Sequence, residues 1–449
     1  MNIESIIRGV IGIFFLLFIA YLFSNNKRLI KWKMVFTAIG IQFLFAVFIL
    51  YGEKLRSIFY PLALPKDILN WLGAVIVQLL HFTIEGASFV FGRLAINNGS
   101  ESLGTFFAFQ VLPTIIFISS ITSILYYLGI LQVVVKGMAW LMAKLLGTSG
   151  AESLSNTANI FVGQTEAPLL IRPYIAKMTN SELLTIMVGG MATIAGGVMA
   201  SYIQMLGQAY ANIHHLPIEE AQIKFAIQLL AASTMAAPAS LAIAKILYPE
   251  TEEPVTRGTV KIKIEKKSSN VIEAAAVGAG DGLQLALNVA AMLIAFIALI
   301  ALLNYVLVWI GNLVGINAWL IQQYNSPLSL QLIFGIILQF IAYCIGVPWA
   351  DALHFGSLIG TKVALNEFVA YLDMAKMIQG GLLTEKGIIM ATYALCGFAN
   401  FGSIAILIGG LSPMAPERRK DISALGLKAV LGGTITNLMT ATLAGILLG

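Results

Sequence analysis

Long uninterrupted apolar runs restrict the fold of this sequence more than any other feature. A helix needs roughly 20 apolar residues to cross the hydrocarbon core of a bilayer, and several runs reach or exceed that length. The chain of 449 residues is 58% hydrophobic and only 11% charged, whereas soluble domains carry about 25% charged residues. Transmembrane barrels show short segments of alternating polarity instead. The pattern predicts an all-α polytopic membrane protein.

Eight transmembrane helices are predicted from these runs. The first is a retained span rather than a signal peptide, because it has no small-residue cleavage site and a basic segment follows it. Residues 106–146 and 278–314 are longer than a bilayer requires, so they must tilt, bend or project, with Pro113 as a candidate bend in the first. The predicted spans are residues 8–24, 34–51, 106–146, 183–210, 225–247, 278–314, 384–411 and 425–448.

Three further apolar regions do not have the composition of clean spans. Residues 64–92 are interrupted by Asp67 and Glu85, which favours a helix lying along the membrane interface. Residues 152–178 and 328–377 contain Gly, Pro and acids where a spanning helix would have Leu. We predict a re-entrant helical hairpin in each, whose non-helical tip is tolerated where protein or water covers it. An ordinary kinked span is the alternative for both.

Basic residues in short loops predict the orientation of the chain. Residues 27–33 follow the first span and mark a cytoplasmic loop, and span counting places residues 248–270 and 418–420 on the same side. Residues 214–220 lack Lys and Arg and fall outside, as do both termini. The lysines that mark the linker 248–270 are Lys261, Lys263, Lys266 and Lys267.

The linker divides the chain into two halves with the same order of elements. Residues 1–105 hold two spans and the interfacial helix, and residues 106–247 and 271–449 each hold a long span, a hairpin, a broken span and a final span. Because the linker reverses the side of entry, the repeats are inverted, which is typical of secondary transporters with a site near the midplane.

Glu166 and Glu367 occupy matching positions at the two hairpins. A carboxylate inside an apolar segment costs a few kcal/mol and marks a functional site by default. At the first tip, Thr165 is placed to cap the following helix, and Gln164 with Glu166 suits the edge of a heterocycle. The alternative is that Glu166 only stabilises a helix N-terminus. We interpret the two acids as halves of one binding site.

The second half supplies donors and acceptors without a guaranteed cation, through Glu367, Asn366, Asn400 and Ser403. A neutral, hydroxyl-rich ligand suits that set better than a dicarboxylate, which would require arginine forks. Phe398 either stacks on a ring or packs.

An ion site is plausible where the first hairpin meets the broken span. Asn159 and Thr193 offer side-chain oxygens, and unwound backbone near Val162 and Ile194 would expose carbonyls. Composition alone does not choose between sodium and a proton.

Three motifs resemble the signatures of the concentrative nucleoside transporter family, in the correct order across nearly the whole chain. They are residues 163–169 (GQTEAPL), 366–368 (NEF) and 397–401 (GFANF). The resemblance implies a bacterial-type, sodium-coupled homotrimer with eight spans, two re-entrant hairpins, an interfacial helix and an elevator-like motion. It implies nucleobase contacts from Gln164, Thr165, Glu166 and Val198, ribose contacts from Glu367, Asn400 and Ser403, a pocket lined by Phe398, and sodium ligands from Asn159, Val162, Thr193 and Ile194.

These observations together predict sodium-driven nucleoside import across the bacterial cytoplasmic membrane, with no role for nucleic acid. Proton coupling through Glu166 or Glu367 is the nearest alternative. An intramembrane enzyme is disfavoured because the four histidines lie far from both acidic motifs. A passive channel is disfavoured by the repeat plan.

Overall fold

Helices make up the regular structure of this protein. The computed structural model describes residues 3–96, 103–104, 106–257 and 268–448, so the four linker lysines used above for orientation, Lys261, Lys263, Lys266 and Lys267, lie outside it. Within those ranges the elements are α- and 3-10 helices, with one isolated β-bridge between Ser149 and Arg257. The predicted all-α fold is confirmed.

The N-terminal part contains a short 3-10 helix at each of Lys27–Leu29, Tyr60–Ala63 and Gly92–Ala95. The helix of residues 64–91 has the length and apolar composition of a membrane span, so its position along the interface stays a prediction. The α-helices here are α1 (Ile3–Leu22), α2 (Trp32–Leu50), α3 (Gly52–Arg56), α4 (Leu64–Phe91) and α5 (Phe107–Gln110).

Residues 106–247, which we predict to form the first repeat, contain a helical hairpin followed by a broken helix. A 3-10 helix, Ala167–Ile171, precedes the short second arm of the hairpin. The α-helices are α6 (Leu112–Tyr127), α7 (Ile130–Leu146), α8 (Gly150–Ala158), α9 (Arg172–Ile175), α10 (Asn180–Ala192), α11 (Gly196–His214) and α12 (Ile218–Leu247).

The second repeat shows the same order, with an extra helix pair ahead of its hairpin and a 3-10 turn at Pro416–Arg418. The predicted hairpin region 328–377 resolves into α15 and a hairpin formed by α16 and α17. The α-helices are α13 (Val271–Val314), α14 (Asn317–Tyr324), α15 (Leu330–Cys344), α16 (Trp349–Ala364), α17 (Glu367–Gln379), α18 (Glu385–Leu395), α19 (Phe401–Leu411) and α20 (Arg419–Leu448).

The predicted long span 106–146 is divided into the short α5 and the longer α6 and α7 rather than forming one bent helix. The break between α6 and α7 falls at Gly129, whose φ of 82° lies in the left-handed region that glycine adopts without a Cβ penalty. Pro113 instead lies in the first turn of α6, where its missing N–H leaves no helical hydrogen bond unmade. The proline therefore lies at the start of α6, two residues after the interruption at Val111 that separates α5 from α6.

Burial separates an inner set of helices from an outer set. Seven of the described helical segments are long and apolar enough to cross a membrane; α1 and α19 add shorter apolar helices. The apolar windows of α10–α11, α12 and α20 are 89% buried, whereas those of α4 and α13 are 22% buried. Leu287, Ile294 and Tyr305 on α13 are exposed apolar side chains, which is the surface that lipid would cover.

Two glycines let α6 and α13 pack in close contact. A Cβ added at Gly278 would lie 2.5 Å from the Ser123 Cβ, and one at Gly282 would lie 2.8 Å from the Ser119 Cβ. Small residues spaced four apart allow helix backbones to approach each other in membranes. The outer helices therefore form a tight pair beside the inner set.

Candidate functional site

Two asparagines begin the helices that carry the second half of the site. The Asn366 side chain accepts a hydrogen bond from the Val369 N–H at 2.9 Å and starts α17, and Asn400 accepts from the Ser403 N–H at 2.8 Å and starts α19. Both residues have the extended backbone typical of an N-cap. The caps place Glu367 in the first turn of α17, next to the break between α18 and α19.

Both carboxylate oxygens of Glu367 are hydrogen-bonded. The Tyr202 hydroxyl donates to Oε1 at 3.0 Å, and the Asn400 Nδ2 donates to Oε2 at 3.1 Å. Tyr202 belongs to α11 of the first repeat, and it was missed from the sequence. A signal was available, because Tyr202 lies one helical turn after Val198 and a buried tyrosine hydroxyl usually finds a partner.

A side chain from the first hairpin joins this group. The Gln164 Nε2 donates to the Ser403 Oγ at 3.3 Å, and Ser403 lies in the first turn of the helix that Asn400 caps. The Gln164 Oε1 is buried and has no hydrogen-bond partner in the described part of the chain. We call Gln164, Ser403, Asn400, Glu367 and Tyr202 the polar cluster. It contains a carboxylate, two amides and two hydroxyls from both halves.

Gly190 shapes the wall behind Gln164. A Cβ added there would lie 2.8 Å from the Gln164 Cβ, so the hairpin tip packs directly on the backbone of α10. Thr165 packs on α19, because a Cβ added at Gly410 would lie 2.6 Å from its Cγ2. Thr165 does not cap the following helix, since Glu166 occupies the N-cap position and makes no side-chain capping bond. That prediction is wrong.

Glu166 lies apart from the polar cluster, on the wall of a cavity of about 310 Å³. A turn closed by the Glu166 N–H and the Gly163 carbonyl at 3.2 Å separates Gln164 from Glu166. Gln164 is buried between α10 and the Ser403 side chain, and Glu166 is exposed. The cavity lining includes Glu166 and not Glu367, and the interpretation that the two acids are halves of one binding site stays a prediction.

The cavity lies between the first hairpin and the pair α6 and α13. Its wall includes Tyr126 and Asp281, and Ser268 lines it next to the linker. The linker end of α6 is also marked by the Tyr127 hydroxyl, which donates to the Ser269 carbonyl at 3.1 Å. The volume is at the lower end of the range for small-molecule sites, about 300–1,000 Å³.

Aromatic rings close the opposite end of the site. Phe368, next to Glu367, packs edge-on against Phe107 with ring centroids 5.3 Å apart and against Tyr202 at 5.1 Å. Phe107 lies in α5, at the end of α6 remote from the linker. The site is thus covered by rings on one side and bordered by the cavity on the other.

The four residues predicted to hold a cation lie at the first hairpin tip and the break between α10 and α11. Asn159 is fully buried, and neither of its side-chain polar atoms has a hydrogen-bond partner in the described ranges. The Thr193 hydroxyl donates to the Gly189 carbonyl at 3.0 Å, which leaves the lone pairs of its oxygen available. A Cβ added at Gly196 would lie 3.3 Å from the Phe161 carbonyl oxygen, so the tip backbone touches the break.

This donor set fits a hard cation. A buried amide without partners costs about 1–3 kcal/mol, and an ion coordinated by the Asn159 oxygen would remove part of that cost. Val162 and Ile194 provide the backbone of the tip and of the break, where carbonyls leave the helical pattern. Amide, hydroxyl and carbonyl oxygens are ligands that hard cations prefer.

Lys362 is a buried ionisable side chain that the sequence reasoning passed over. Its Nζ is within 2.9 Å of the Ala394 carbonyl oxygen and 2.7 Å of the Asn437 Oδ1, and the residue is only 1% exposed. This amine lies outside the set of Glu367, Asn366, Asn400 and Ser403 considered above. Its cost inside an apolar segment was the available signal.

Val198 and Phe398 complete the predicted substrate residues. Val198 is buried in the first turn of α11, and Phe398 is half-buried in the break before α19. The Phe398 carbonyl accepts from the Asn400 N–H at 2.9 Å, which makes a tight turn. Val198 lies in the helix that supplies Tyr202, and Phe398 precedes the helix that supplies Ser403.

Three family models match most of the sequence. They are described as "Na+ dependent nucleoside transporter N-terminus" over residues 11–94, "Nucleoside recognition" over residues 108–209, and "Na+ dependent nucleoside transporter C-terminus" over residues 228–445.

Similar proteins cover nearly the whole chain. An uncharacterized transporter from Haemophilus influenzae is 47% identical over 99% of this chain and 98% of its own length. The mouse sodium/nucleoside cotransporter 1 is 40% identical over 96% of this chain and 62% of its own length. The transporter CNTnw in an inward-facing substrate-bound state is 40% identical, with a TM-score of 0.84 over 99% of this chain and 98% of that one. Variants of CNTnw in an outward-facing state give similar values, with TM-scores of 0.83 and 0.85.

Proposed function

Because this chain belongs to the family of Na+-dependent nucleoside transporters, a family of transporters and not of enzymes, we propose that it imports nucleosides by sodium symport. The observation that carries the proposal is the polar cluster. Side chains from both repeats converge there, and they offer donors and acceptors with no arginine fork. Such a group suits a neutral ligand that has hydroxyls and a heterocycle.

The two parts of a nucleoside have separate places in this proposal. Glu367, Asn400 and Ser403 bind the ribose hydroxyls, and Gln164 binds the base edge through its unpartnered Oε1 and its Nε2. Thr165 and Val198 border the base, and Phe398 lines the pocket. Glu166 reaches the base by movement of the hairpin tip, since it faces the cavity in the conformation described above.

Sodium supplies the driving force. We propose Asn159 and Thr193 side chains and the Val162 and Ile194 carbonyls as its ligands. Moving one charge across 100 mV supplies about 2.3 kcal/mol, and a tenfold sodium gradient adds about 1.4 kcal/mol. Coupling of one ion to one nucleoside would therefore sustain a concentration ratio of roughly several hundredfold.

The conformation described here suits release toward the linker side. The aromatic cover formed by Phe107, Phe368 and Tyr202 blocks the far side, and the cavity beside the first hairpin borders the linker. With the linker cytoplasmic, this arrangement faces inward. The proposal includes an elevator motion of the hairpins and broken helices, a homotrimer, and residence in the bacterial cytoplasmic membrane.

Uptake in proteoliposomes tests this function. Radiolabelled uridine is offered with sodium and pH gradients varied independently, and wild type is compared with Glu367→Gln and with Glu253→Gln, an exposed acid in the segment after α12. We expect sodium-dependent accumulation in wild type and Glu253→Gln and its loss in Glu367→Gln. Uptake that follows the proton gradient without sodium would refute sodium coupling, and full activity of Glu367→Gln would refute the assigned site.

A further inference from the structure

Each repeat contains a broken helix whose first half ends inside the protein. The first, α10, ends at Ala192, and the second, α18, ends at Leu395. The last carbonyls of a helix lack intrahelical partners and carry the negative end of the helix dipole. In a membrane this charge has to be compensated from within the protein. Each break therefore needs hydrogen-bond donors or a cation.

Asn437 on α20 serves both breaks. Its Nδ2 donates to the Ala192 carbonyl and to the Cys396 carbonyl, each at 2.7 Å. The amide has no hydrogen left for further acceptors, because both Nδ2 hydrogens are used. The residues of the adjacent hairpin must therefore compensate the remaining negative potential at each break.

The two hairpins meet this need differently. In the first repeat, Asn159 follows the hairpin arm α8 and presents a buried amide that has no hydrogen-bond partner among the described residues. The tip backbone at Phe161 reaches Gly196, just after the end of α10. In the second repeat, Lys362 projects from the hairpin arm α16 to the Ala394 carbonyl in the last turn of α18 and to the Asn437 Oδ1. The first arrangement offers an amide, whereas the second offers an amine that becomes a cation when it is protonated.

We propose that the Lys362 ammonium is a tethered cation that compensates the negative end of α18 at the second break, as sodium does for α10 at the first break. Ion coupling is then confined to the first repeat, and one sodium ion moves with each nucleoside. This inference rests on the proposed sodium symport. A purely packing role explains the lysine poorly, because burying an ion is costly and an apolar side chain of similar volume would serve as well.

The test compares Lys362→Gln with Lys376→Gln, whose exposed lysine lies on α17 of the same hairpin and pairs with Asp373. Uridine uptake and charge movement are measured together in proteoliposomes as functions of sodium concentration. Wild type and Lys376→Gln should show a sodium Hill coefficient near one and one charge per nucleoside. Lys362→Gln should bind a second sodium ion, so its Hill coefficient and its charge ratio both rise toward two. Half-saturating sodium should rise about tenfold or more with the loss of a charged hydrogen-bond donor.

Three results separate the inference from the function on which it depends. Wild-type uptake without any need for sodium refutes the proposed function itself. Sodium-dependent wild type together with a Lys362→Gln variant of unchanged Hill coefficient and charge ratio refutes only the role of Lys362. If Lys362→Gln does not assemble, the charge ratio of the wild-type protein provides the test. Two charges per nucleoside overturn the inference, and one charge per nucleoside supports it.

Discussion

Replacing Tyr202 by phenylalanine removes one hydroxyl and preserves the packing around it. The Tyr202 ring lies 5.1 Å from the Phe368 ring and 4.3 Å from the Tyr371 ring, and a phenylalanine ring would keep these contacts. The lost atom is the donor to the Glu367 Oε1 at 3.0 Å. Glu367 then keeps the Asn400 amide on its other oxygen.

The expected cost follows from the burial of this hydrogen bond. A hydrogen bond to a charged group contributes about 1.5–3 kcal/mol, and a buried acceptor left unpaired costs a similar amount. Since 1.4 kcal/mol is a factor of ten in affinity, we expect Tyr202→Phe to weaken nucleoside binding about 10- to 100-fold. The sodium dependence should stay as in wild type, because Asn159 and Thr193 lie outside the polar cluster.

Calorimetric titration of uridine at saturating sodium measures this effect. Titration of 2′-deoxyuridine and 3′-deoxyuridine then shows whether Tyr202 acts through the carboxylate, because the penalty for a missing ribose hydroxyl should be smaller in Tyr202→Phe. The matched control is Tyr371→Phe. Its hydroxyl belongs to the same ring cluster but donates to the Thr392 carbonyl at 2.8 Å.

Wild-type uridine affinity in Tyr202→Phe, with unchanged discrimination against deoxynucleosides, would show that this hydroxyl does not position Glu367. Equal weakening by Tyr371→Phe would assign the effect to the ring cluster as a whole. Either outcome contradicts the reasoning.

Further predictions concern the ion site, the helix contact and a buried ion pair. Asn159→Ala should abolish the rise in melting temperature that sodium produces. In the absence of sodium the variant should melt at a higher temperature than wild type, because a buried unpaired amide is removed. An unchanged sodium response in a thermal-shift assay contradicts this prediction. Gly282→Val should lower stability by about 1–3 kcal/mol by overpacking against Ser119, measured by denaturation in detergent. Lys245→Met should cost about 3–5 kcal/mol, because Glu152 is left buried without its partner at 2.8 Å, and the added change Glu152→Gln should restore most of that loss.

Local sequence rules predicted the parts of the fold that depend on neighbouring residues. Runs of small residues predicted the helix breaks near Thr193 and Cys396. The free-energy cost of a carboxylate in an apolar segment identified Glu367 as a candidate site residue. The family resemblance is confirmed by the matching family models. The side-chain roles within the site are predictions.

Contacts between distant residues account for what the sequence did not reveal. Lys362 and Asn437 are far apart in the chain, and no local pattern indicates that they meet. The hydrogen bond from Tyr202 to Glu367 joins the two repeats in the same way. Glu166 was assigned by symmetry with Glu367, but the turn after Gly163 directs Gln164 to the cluster instead. Such turns depend on tertiary packing, and the hydrophobic periodicity of the sequence carries no information about that packing.

The position of Asn437 in the last helix has a consequence for biosynthesis. The Ala192 and Cys396 carbonyls obtain this shared donor only after residue 437 has left the ribosome and α20 has inserted. Until then a nascent chain holds both interrupted helices with polar backbone uncovered, a state that the membrane interior penalises. Completion of the C-terminal helix is therefore the step at which the newly made polypeptide acquires its finished interior, and chains cut short before it would present these ends to cellular quality control.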